Sequence, residues 1–188
     1  MKPIFLIGYM GSGKSTLGYA LSKATGLTFI DLDTYIENRY RKSVRDIFAE
    51  RGEDGFRKIE KSMLAEVCSF EDVIVACGGG TPCFFDNMDV MNSHGTTVLL
   101  DTSIDTLHRR LCHGKAKRPL IASMNDDELK TFIDTALNQR KPHYCRAKHS
   151  FHSDQLDDIR QIHRSVNEFI IQFKLKRKDT APSNTTNP

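Results

Sequence analysis

Eight consecutive residues, Gly8-Tyr9-Met10-Gly11-Ser12-Gly13-Lys14-Ser15, match GxxxxGK(S/T) and constrain this chain more than any other feature. The apolar run from Pro3 to Ile7 before them reads as a buried strand. Lys14 to Thr25 after them reads as a helix, with Leu17, Leu21 and Ala24 on one side and Gly26 at its end. A strand, a glycine-rich turn and a helix in that order gather backbone N–H groups and the positive end of a helix dipole around one point. That point suits the phosphates of a nucleoside triphosphate. Gly11, Ser12, Gly13, Lys14, Ser15 and Thr16 are the candidate nucleotide-binding residues; Lys14 would bridge the β- and γ-phosphates and Ser15 would ligate Mg²⁺. The alternative, an ordinary glycine-rich turn, leaves the flanking strand and helix unexplained.

Apolar strands go on alternating with amphipathic helices, which is the α/β signature. Leu27 to Ile30 is a second strand. Ser43 can cap a helix through Phe48, and another begins near Glu53 with Phe56, Ile59, Met63, Leu64 and Val67 at helical spacing. Val73 to Ala76 and Thr97 to Leu100 are further strands, the second followed by a helix to about Leu111. Residues 112–124 carry charges with weak periodicity and read as a mobile loop. Asn125-Asp126-Asp127-Glu128 is a strong helix start. A weak strand near 149–152 precedes a last helix from about Asp154 to Phe173, apolar at Ile159, Ile162, Val166, Phe169 and Phe173.

Composition narrows the class. At 188 residues, 39% hydrophobic and 27% charged, the chain suits one soluble domain. No apolar run approaches the ~20 residues that span a bilayer, and the N-terminus lacks the pattern of a secretory signal. Lys174, Lys176, Arg177 and Lys178 against Asp179 account for the whole formal net charge of +3. A neutral body argues against a nucleic-acid surface, and residues 174–188 read as a disordered basic and polar tail behind a single domain, 1–173. Five cysteines without a CxxC pair fit reduced thiols, hence a cytoplasmic protein with no membrane partner.

Several other groups carry candidate chemistry. Asp31-Leu32-Asp33 follows the second strand, where alternation would send both carboxylates one way and Leu32 to the core; helix capping is the competing reading. Gly78-Gly79-Gly80 follows the third strand and allows close approach to a ligand, or makes a tight turn. Arg57 and Glu60, at i and i+3, taken alone form a surface ion pair. Arg118 precedes Pro119, and Arg140 ends a helix two residues before Pro142; taken alone each is a solvated or helix-terminal arginine. Met88 and Met91, beside Phe84 and Phe85, read as helix core. His143, Cys145, His149 and His152, and separately His108, Cys112 and His113, are metal-ligating types without a recognised ligand spacing, and are set aside.

From Ile4 to about Phe173 the motifs GYMGSGKST, FIDLD, IFAERGEDGFRKIE, GGG, RPLI and QRKPHY occur in that order, and together they resemble shikimate kinases. The resemblance implies a three-layer P-loop fold with a five-stranded parallel sheet of order 2-3-1-4-5. It implies a substrate-binding segment at about 33–61 and a lid at about 112–124. It implies ATP as co-substrate, Mg²⁺ as cofactor, and transfer of the γ-phosphoryl group to the 3-hydroxyl of shikimate. Residue by residue, it implies that Asp33, Arg57, Gly79 and Gly80 contact shikimate and that Arg140 pairs with its carboxylate. Asp31 would help order Mg²⁺ through water, and Asp33 would accept or orient the hydroxyl proton. Arg118 would be the lid arginine, and Arg110, or its neighbour Arg109, would pack on adenine. Lys14, Asp33 and Arg118 are the candidate catalytic residues, and a monomer is the expected state.

The chain departs from that pattern in three places. It reads Tyr40-Arg41-Lys42-Ser43 where a glycine is usual, has Cys77 where a small hydroxyl residue is common, and has its own lid sequence Gly114-Lys115-Ala116-Lys117. The rival readings are a kinase for another small polyol or acid, such as gluconate, and a nucleotide-binding regulator without catalysis. The first is opposed by Arg57 and Arg140 beside the triple glycine, the second by the presence of Lys14, Ser15, Asp31, Asp33 and Arg118.

Overall fold

The structure, a computed structural model, describes residues 1–115 and 121–178. Its strands are β1 (Ile4–Ile7), β2 (Thr28–Asp31), β3 (Val73–Ala76), β4 (Thr96–Asp101) and β5 (His149–His152). Its helices are α1 (Lys14–Thr25), α2 (Leu32–Tyr40), α3 (Val44–Val67), α4 (Asn87–His94), α5 (Ile104–His113), α6 (Asp126–Tyr144) and α7 (Ile159–Gln172), with a 3-10 turn at Thr81–Cys83. All four strand pairings are parallel and the order is β2-β3-β1-β4-β5, as the resemblance implies.

The strand sequences explain why helices cover both faces. Every residue of β1 is buried, and alternation sends Ile4 and Leu6 to one face and Phe5 and Ile7 to the other. In β3, Ile74 joins the first face and Val73 and Val75 the second. The first face packs on Leu17 and Leu21 of α1 and Val166 and Phe169 of α7. The second packs on α3 to α6, through Ile59, Met63, Met91, Leu107 and Ile133 among others. Strand β1 leads through α1 to β2 on one side, while its neighbour β3 leads through α4 to β4 on the other, so the connections from these two strands diverge. A crevice opens at such a switch point, and the phosphate-binding motif lies in it.

Some expected elements differ. Asp31-Leu32-Asp33, expected to alternate at a strand end, instead begin a helix, α2, where no element was expected. Asp31 Oδ1 accepts from the backbone N–H groups of Asp33 and Thr34, at 3.2 and 3.4 Å, so capping ends the strand. Leu32 is fully buried all the same. The two helices expected at 43–48 and after 53 are continuous but for Gly52, whose φ of 66° and ψ of −176° break the helical path. Helix α6 runs through Pro142 to Tyr144, so Arg140 lies just before its final turn and does not end it. Helix α7 starts at Ile159, not Asp154, because Asp158 caps it through the N–H groups of Arg160 and Gln161. Ile159 precedes the buried stripe and is exposed.

The expected mobile loop begins too early: Cys112 and His113 belong to α5, and Ile121 is fully buried. Residues 116–120 lie outside the described residues. The expected disordered tail also begins too early. The Leu175 N–H donates to Ile170 O at 3.0 Å, the Leu175 side chain packs on the α1/α7 core, and the Lys178 N–H donates to Ala24 O at 2.9 Å. Residues 179–188 lie outside the described residues.

Two of the sequence departures are absorbed locally. Arg41 ends α2 in the left-handed conformation, φ 52° and ψ 37°, which a glycine would adopt without the Cβ penalty of roughly 1 kcal/mol. Cys77 is buried in the core with its Sγ 3.7 Å from Met91 Sδ. Met88 and Met91 are core residues, as expected, whereas Phe85 is exposed.

Candidate active site

The phosphate cradle is preformed. Gly8, Gly11 and Gly13 have φ values of 143°, 82° and 92°, and a Cβ on Gly13 would sit 2.5 Å from Leu156 Cδ1. Only glycine fits there. Lys14 Nζ lies 2.9 Å from both Gly8 O and Tyr9 O and 3.4 Å from Ser12 Oγ, so the ammonium donates to the loop's own oxygens. Burial lowers its pKa to about 8. Incoming phosphate oxygens would replace these acceptors and restore a full charge partner. Ser15 Oγ, one residue on, donates to Asp31 Oδ2 at 2.8 Å. This joins the start of α1 to the end of β2 and presents a hydroxyl and a carboxylate together. Such hard oxygen donors, with solvent and phosphate completing the shell, suit Mg²⁺.

Beside this cradle stands a second group, assembled from four elements around the triple glycine. A Cβ on Gly78 would lie 3.1 Å from Asp33 Oδ1 and 3.3 Å from Glu60 Oε1. A Cβ on Gly79 would lie 3.1 Å from an Arg140 guanidinium nitrogen, and one on Gly80 would lie 2.5 Å from Arg57 Nη2. None of the three glycines has a positive φ. Their role is therefore the missing side chain, not an unusual backbone, and each clears space for a different polar group.

The two arginines and Glu60 are held in place. Arg57 Nη1 pairs with Glu60 Oε2 at 2.8 Å, and Thr81 Oγ1 donates to Glu60 Oε1 at 2.6 Å. The Glu60 carboxylate is buried, so this is no surface pair, contrary to the reading of the helix alone. The Arg57 guanidinium lies 4.1 Å from the Phe84 ring centroid, with Phe48 and Phe56 within 6 Å of it. Its Nε is buried without an acceptor. Arg140 lies over the Tyr9 ring at 5.2 Å, and the Tyr144 hydroxyl donates to Gly79 O at 2.7 Å. Burial pushes the Tyr144 phenol up to about 12, which keeps it a neutral donor. Asp33 is half-buried, and its pKa is raised to about 6 by burial and then by the neighbouring carboxylates Asp31 and Glu60.

On the other side of the cradle a cleft of about 640 Å³ is lined by Gly11, Lys14, Thr16, Arg109, Arg110 and Asp157 among others. Arg110 is fixed: Nε donates to Asp157 Oδ1 at 2.6 Å, Nη1 to Gly11 O at 3.2 Å, and Nη2 to Ser153 O and Asp154 O at 3.0 Å each. Arg109 is more exposed and, among the described residues, donates to Asp157 Oδ2 alone, at 2.5 Å. Both line the cleft, and Arg110 is the one with a defined position.

The structure thus gathers Lys14, Ser15, Asp31, Asp33, Arg57, Gly79, Gly80 and Arg140 at one end of the sheet, with Arg110 on the flanking cleft. Arg118 lies outside the described residues. Sequence reasoning paired Arg57 with Glu60 but missed that the pair is buried and that Thr81 holds Glu60, and it missed Tyr9 and Tyr144 as supports of Arg140 and the glycine turn. The QRKPHY motif contained Tyr144; nothing in the sequence marked Thr81.

A family model for shikimate kinase matches residues 10–171. The shikimate kinase of Phocaeicola vulgatus is 57% identical over 166 residues, covering 88% of this chain and 95% of that one. Among solved structures, a shikimate kinase from Bacteroides thetaiotaomicron matches with a TM-score of 0.89 and 48% identity, over 93% of this chain and 99% of the other. Another from Acinetobacter baumannii, in complex with shikimate, matches with a TM-score of 0.78 and 26% identity, over 93% and 94%.

Proposed function

The chain belongs to the shikimate kinase family, and from that membership we infer that it transfers the γ-phosphoryl group of ATP to the 3-hydroxyl of shikimate, giving shikimate 3-phosphate and ADP. One observation carries the substrate assignment. Two arginines and a carboxylate converge on a turn stripped of side chains, beside the phosphate cradle. An anionic polyol needs such a set, in which planar guanidinium groups bind the carboxylate and a carboxylate receives a hydroxyl.

In this reading ATP phosphates occupy the loop 8–15, and Lys14 exchanges its loop carbonyls for phosphate oxygens. Ser15 and Asp31 would hold Mg²⁺, Ser15 directly and Asp31 through water, and the ion would neutralise charge on the phosphates. Arg110 packs against the adenine. Arg140 binds the substrate carboxylate, and Arg57, fixed by Glu60, takes a second position on the same molecule. Asp33 faces the acceptor hydroxyl. Its raised pKa leaves it ionised yet basic enough near neutral pH to accept the proton as the oxygen attacks. Phosphoryl transfer has a loose transition state, so positioning and charge neutralisation supply most of the acceleration. Arg118 is the lid arginine that meets the transferring group. All five cysteines are free thiols and no helix of the described residues is long and apolar enough to cross a membrane. Both support a cytoplasmic enzyme, which we expect to act as a monomer.

A coupled ADP-release assay tests the reading. Turnover with shikimate should be Mg²⁺-dependent and exceed turnover with gluconate at equal concentration by at least about a hundredfold, since gluconate carries its carboxylate on a flexible open chain and a misplacement of the acceptor hydroxyl by ~1 Å costs about that factor. Equal rates with gluconate would point to the other acceptor class, and nucleotide binding without turnover to a regulator.

A further inference from the structure

We propose that His108, Cys112 and Asp126 form a transition-metal site, suited to Zn²⁺, that ties α5 to α6. One ligand atom from each lies within 4.8 Å of the others. His108 and Cys112 are four residues apart on α5, so helix geometry stacks them on one face. Asp126 is the first residue of α6, placed by its cap Asn125 and by the packing of α6 along α5. The three residues therefore sit on either side of the segment 114–125. The sequence shows only a His and a Cys with no second pair, because the third ligand arrives through the fold.

The donor atoms stand close to a metal's spacing. Cys112 Sγ is 4.0 Å from His108 Nδ1 and 3.8 Å from Asp126 Oδ1. A tetrahedral zinc with Zn–S near ~2.3 Å and Zn–N or Zn–O near ~2.1 Å has ligand-to-ligand edges of about 3.6 Å, so the three side chains need to close by only a few tenths of an ångström to hold it. The imidazole is also oriented. His108 Nε2 lies 3.1 Å from the backbone oxygen of Asp126, an atom that only accepts, so Nε2 carries the proton and Nδ1 keeps its lone pair. Metal-bound histidines are fixed in this way, by a carbonyl on the ring nitrogen that does not bind the ion.

The ligand set selects the ion. A thiolate with an imidazole and one carboxylate favours Zn²⁺ over Mg²⁺ or Ca²⁺, which prefer oxygen ligands throughout. Three protein ligands leave a fourth position for solvent, and the exposed Asp126 leaves the site open from outside. His113 is not a member of the group, in which the ligand atoms of His108, Cys112 and Asp126 lie within 4.8 Å of one another. Binding would release the Cys112 thiol proton and leave a thiolate on the metal.

The test uses the full, untagged chain free of nucleotide and Mg²⁺. Calorimetric titration with ZnCl₂ should give one equivalent bound and a higher melting temperature. Co²⁺ in its place should show a thiolate-to-metal charge-transfer band with the strong visible absorption of a tetrahedral ion. Cys112→Ser should abolish that band and weaken Zn²⁺ binding by at least about tenfold, and His108→Gln and Asp126→Asn should each weaken it comparably. Cys145→Ser, which alters an exposed thiol elsewhere, should change nothing. No stoichiometric binding, or a wild-type affinity and cobalt spectrum in both Cys112→Ser and Asp126→Asn, would overturn the proposal.

Discussion

Ser15 Oγ donates a 2.8 Å hydrogen bond to Asp31 Oδ2 while Asp31 Oδ1 caps α2. One carboxylate thus serves the fold with one oxygen and the candidate metal position with the other. The two roles separate by mutation. Asparagine caps helices as well as aspartate does, so Asp31→Asn should leave the melting temperature nearly unchanged. It removes the negative charge, so the Mg²⁺ concentration for half-maximal rate should rise about tenfold or more. A Mg²⁺ titration of turnover checks this, and an unchanged requirement would remove Asp31 from the metal's surroundings.

The buried Arg57–Glu60 pair makes a different prediction. Glu60 satisfies Arg57 and Thr81 together, at 2.8 and 2.6 Å. Removing one member of a buried pair leaves the other charge uncompensated, at a cost of about 3–5 kcal/mol. Glu60→Ala should lose that much stability in urea unfolding, although Glu60 is expected to touch no substrate. A loss below about 1 kcal/mol, the range of a surface pair, would contradict the burial.

Why was some of this legible in the sequence and some not? The phosphate loop, β1, β3 and α1 could be read because their apolar residues repeat at one period and their turns need glycine. Helix α2 was not, since only Leu32 and Ile36 are buried in nine residues, too few to set a helical period. Arg57 with Glu60 looks like a surface pair because the sequence holds their spacing, whereas their burial comes from Thr81 and Phe84, more than twenty residues on. The expected start of α7 at Asp154 failed for a similar reason. Asp154 Oδ1 accepts from the Ser103 N–H and its carbonyl accepts from Arg110, both contacts with a distant helix.

Arg140 should carry binding and not rate. A carboxylate it holds has the same charge before and during transfer, so its interaction is uniform. Arg140→Ala should raise the shikimate KM much more than it lowers kcat, and Arg118→Ala should do the reverse. Steady-state kinetics of the two variants check the pair, and exchanged signatures would exchange the roles.

The C-terminal segment divides at Lys178. Leu175 packs on the α1/α7 core, Arg177 bonds Asn167, and the Lys178 N–H donates to Ala24 O beside the end of α1. Truncation after Phe173 removes all three and should cost about 1–2 kcal/mol, a partly buried leucine plus hydrogen bonds at two helix ends. Truncation after Lys178 keeps them and should melt like the full chain. Equal melting temperatures for the two truncations would show that these contacts do not stabilise the fold.

Asp33 should be bad for stability and necessary for turnover. Its pKa is raised from 3.8 to about 6, chiefly by burial and then by Asp31 and Glu60, so the folded state binds its proton more tightly than the unfolded chain does. Stability from this group is therefore greatest below pH 4, falls as pH rises through the window from about 4 to 6, and stays lost above it. Asp33→Asn removes the charge that burial disfavours. Above pH 7 it should raise stability by up to about 3 kcal/mol, the free-energy equivalent of roughly two pKa units, or several degrees in melting temperature. At pH 4 the gain should nearly vanish, because Asp33 is then mostly protonated in the folded state. The same variant should lose most of its turnover, since an amide cannot take the hydroxyl proton. Melting curves of both proteins from pH 4 to 8, with turnover at pH 7.5, test the two halves together. A variant less stable than the parent at pH 8 would mean that a favourable partner holds the ionised Asp33 and outweighs its burial.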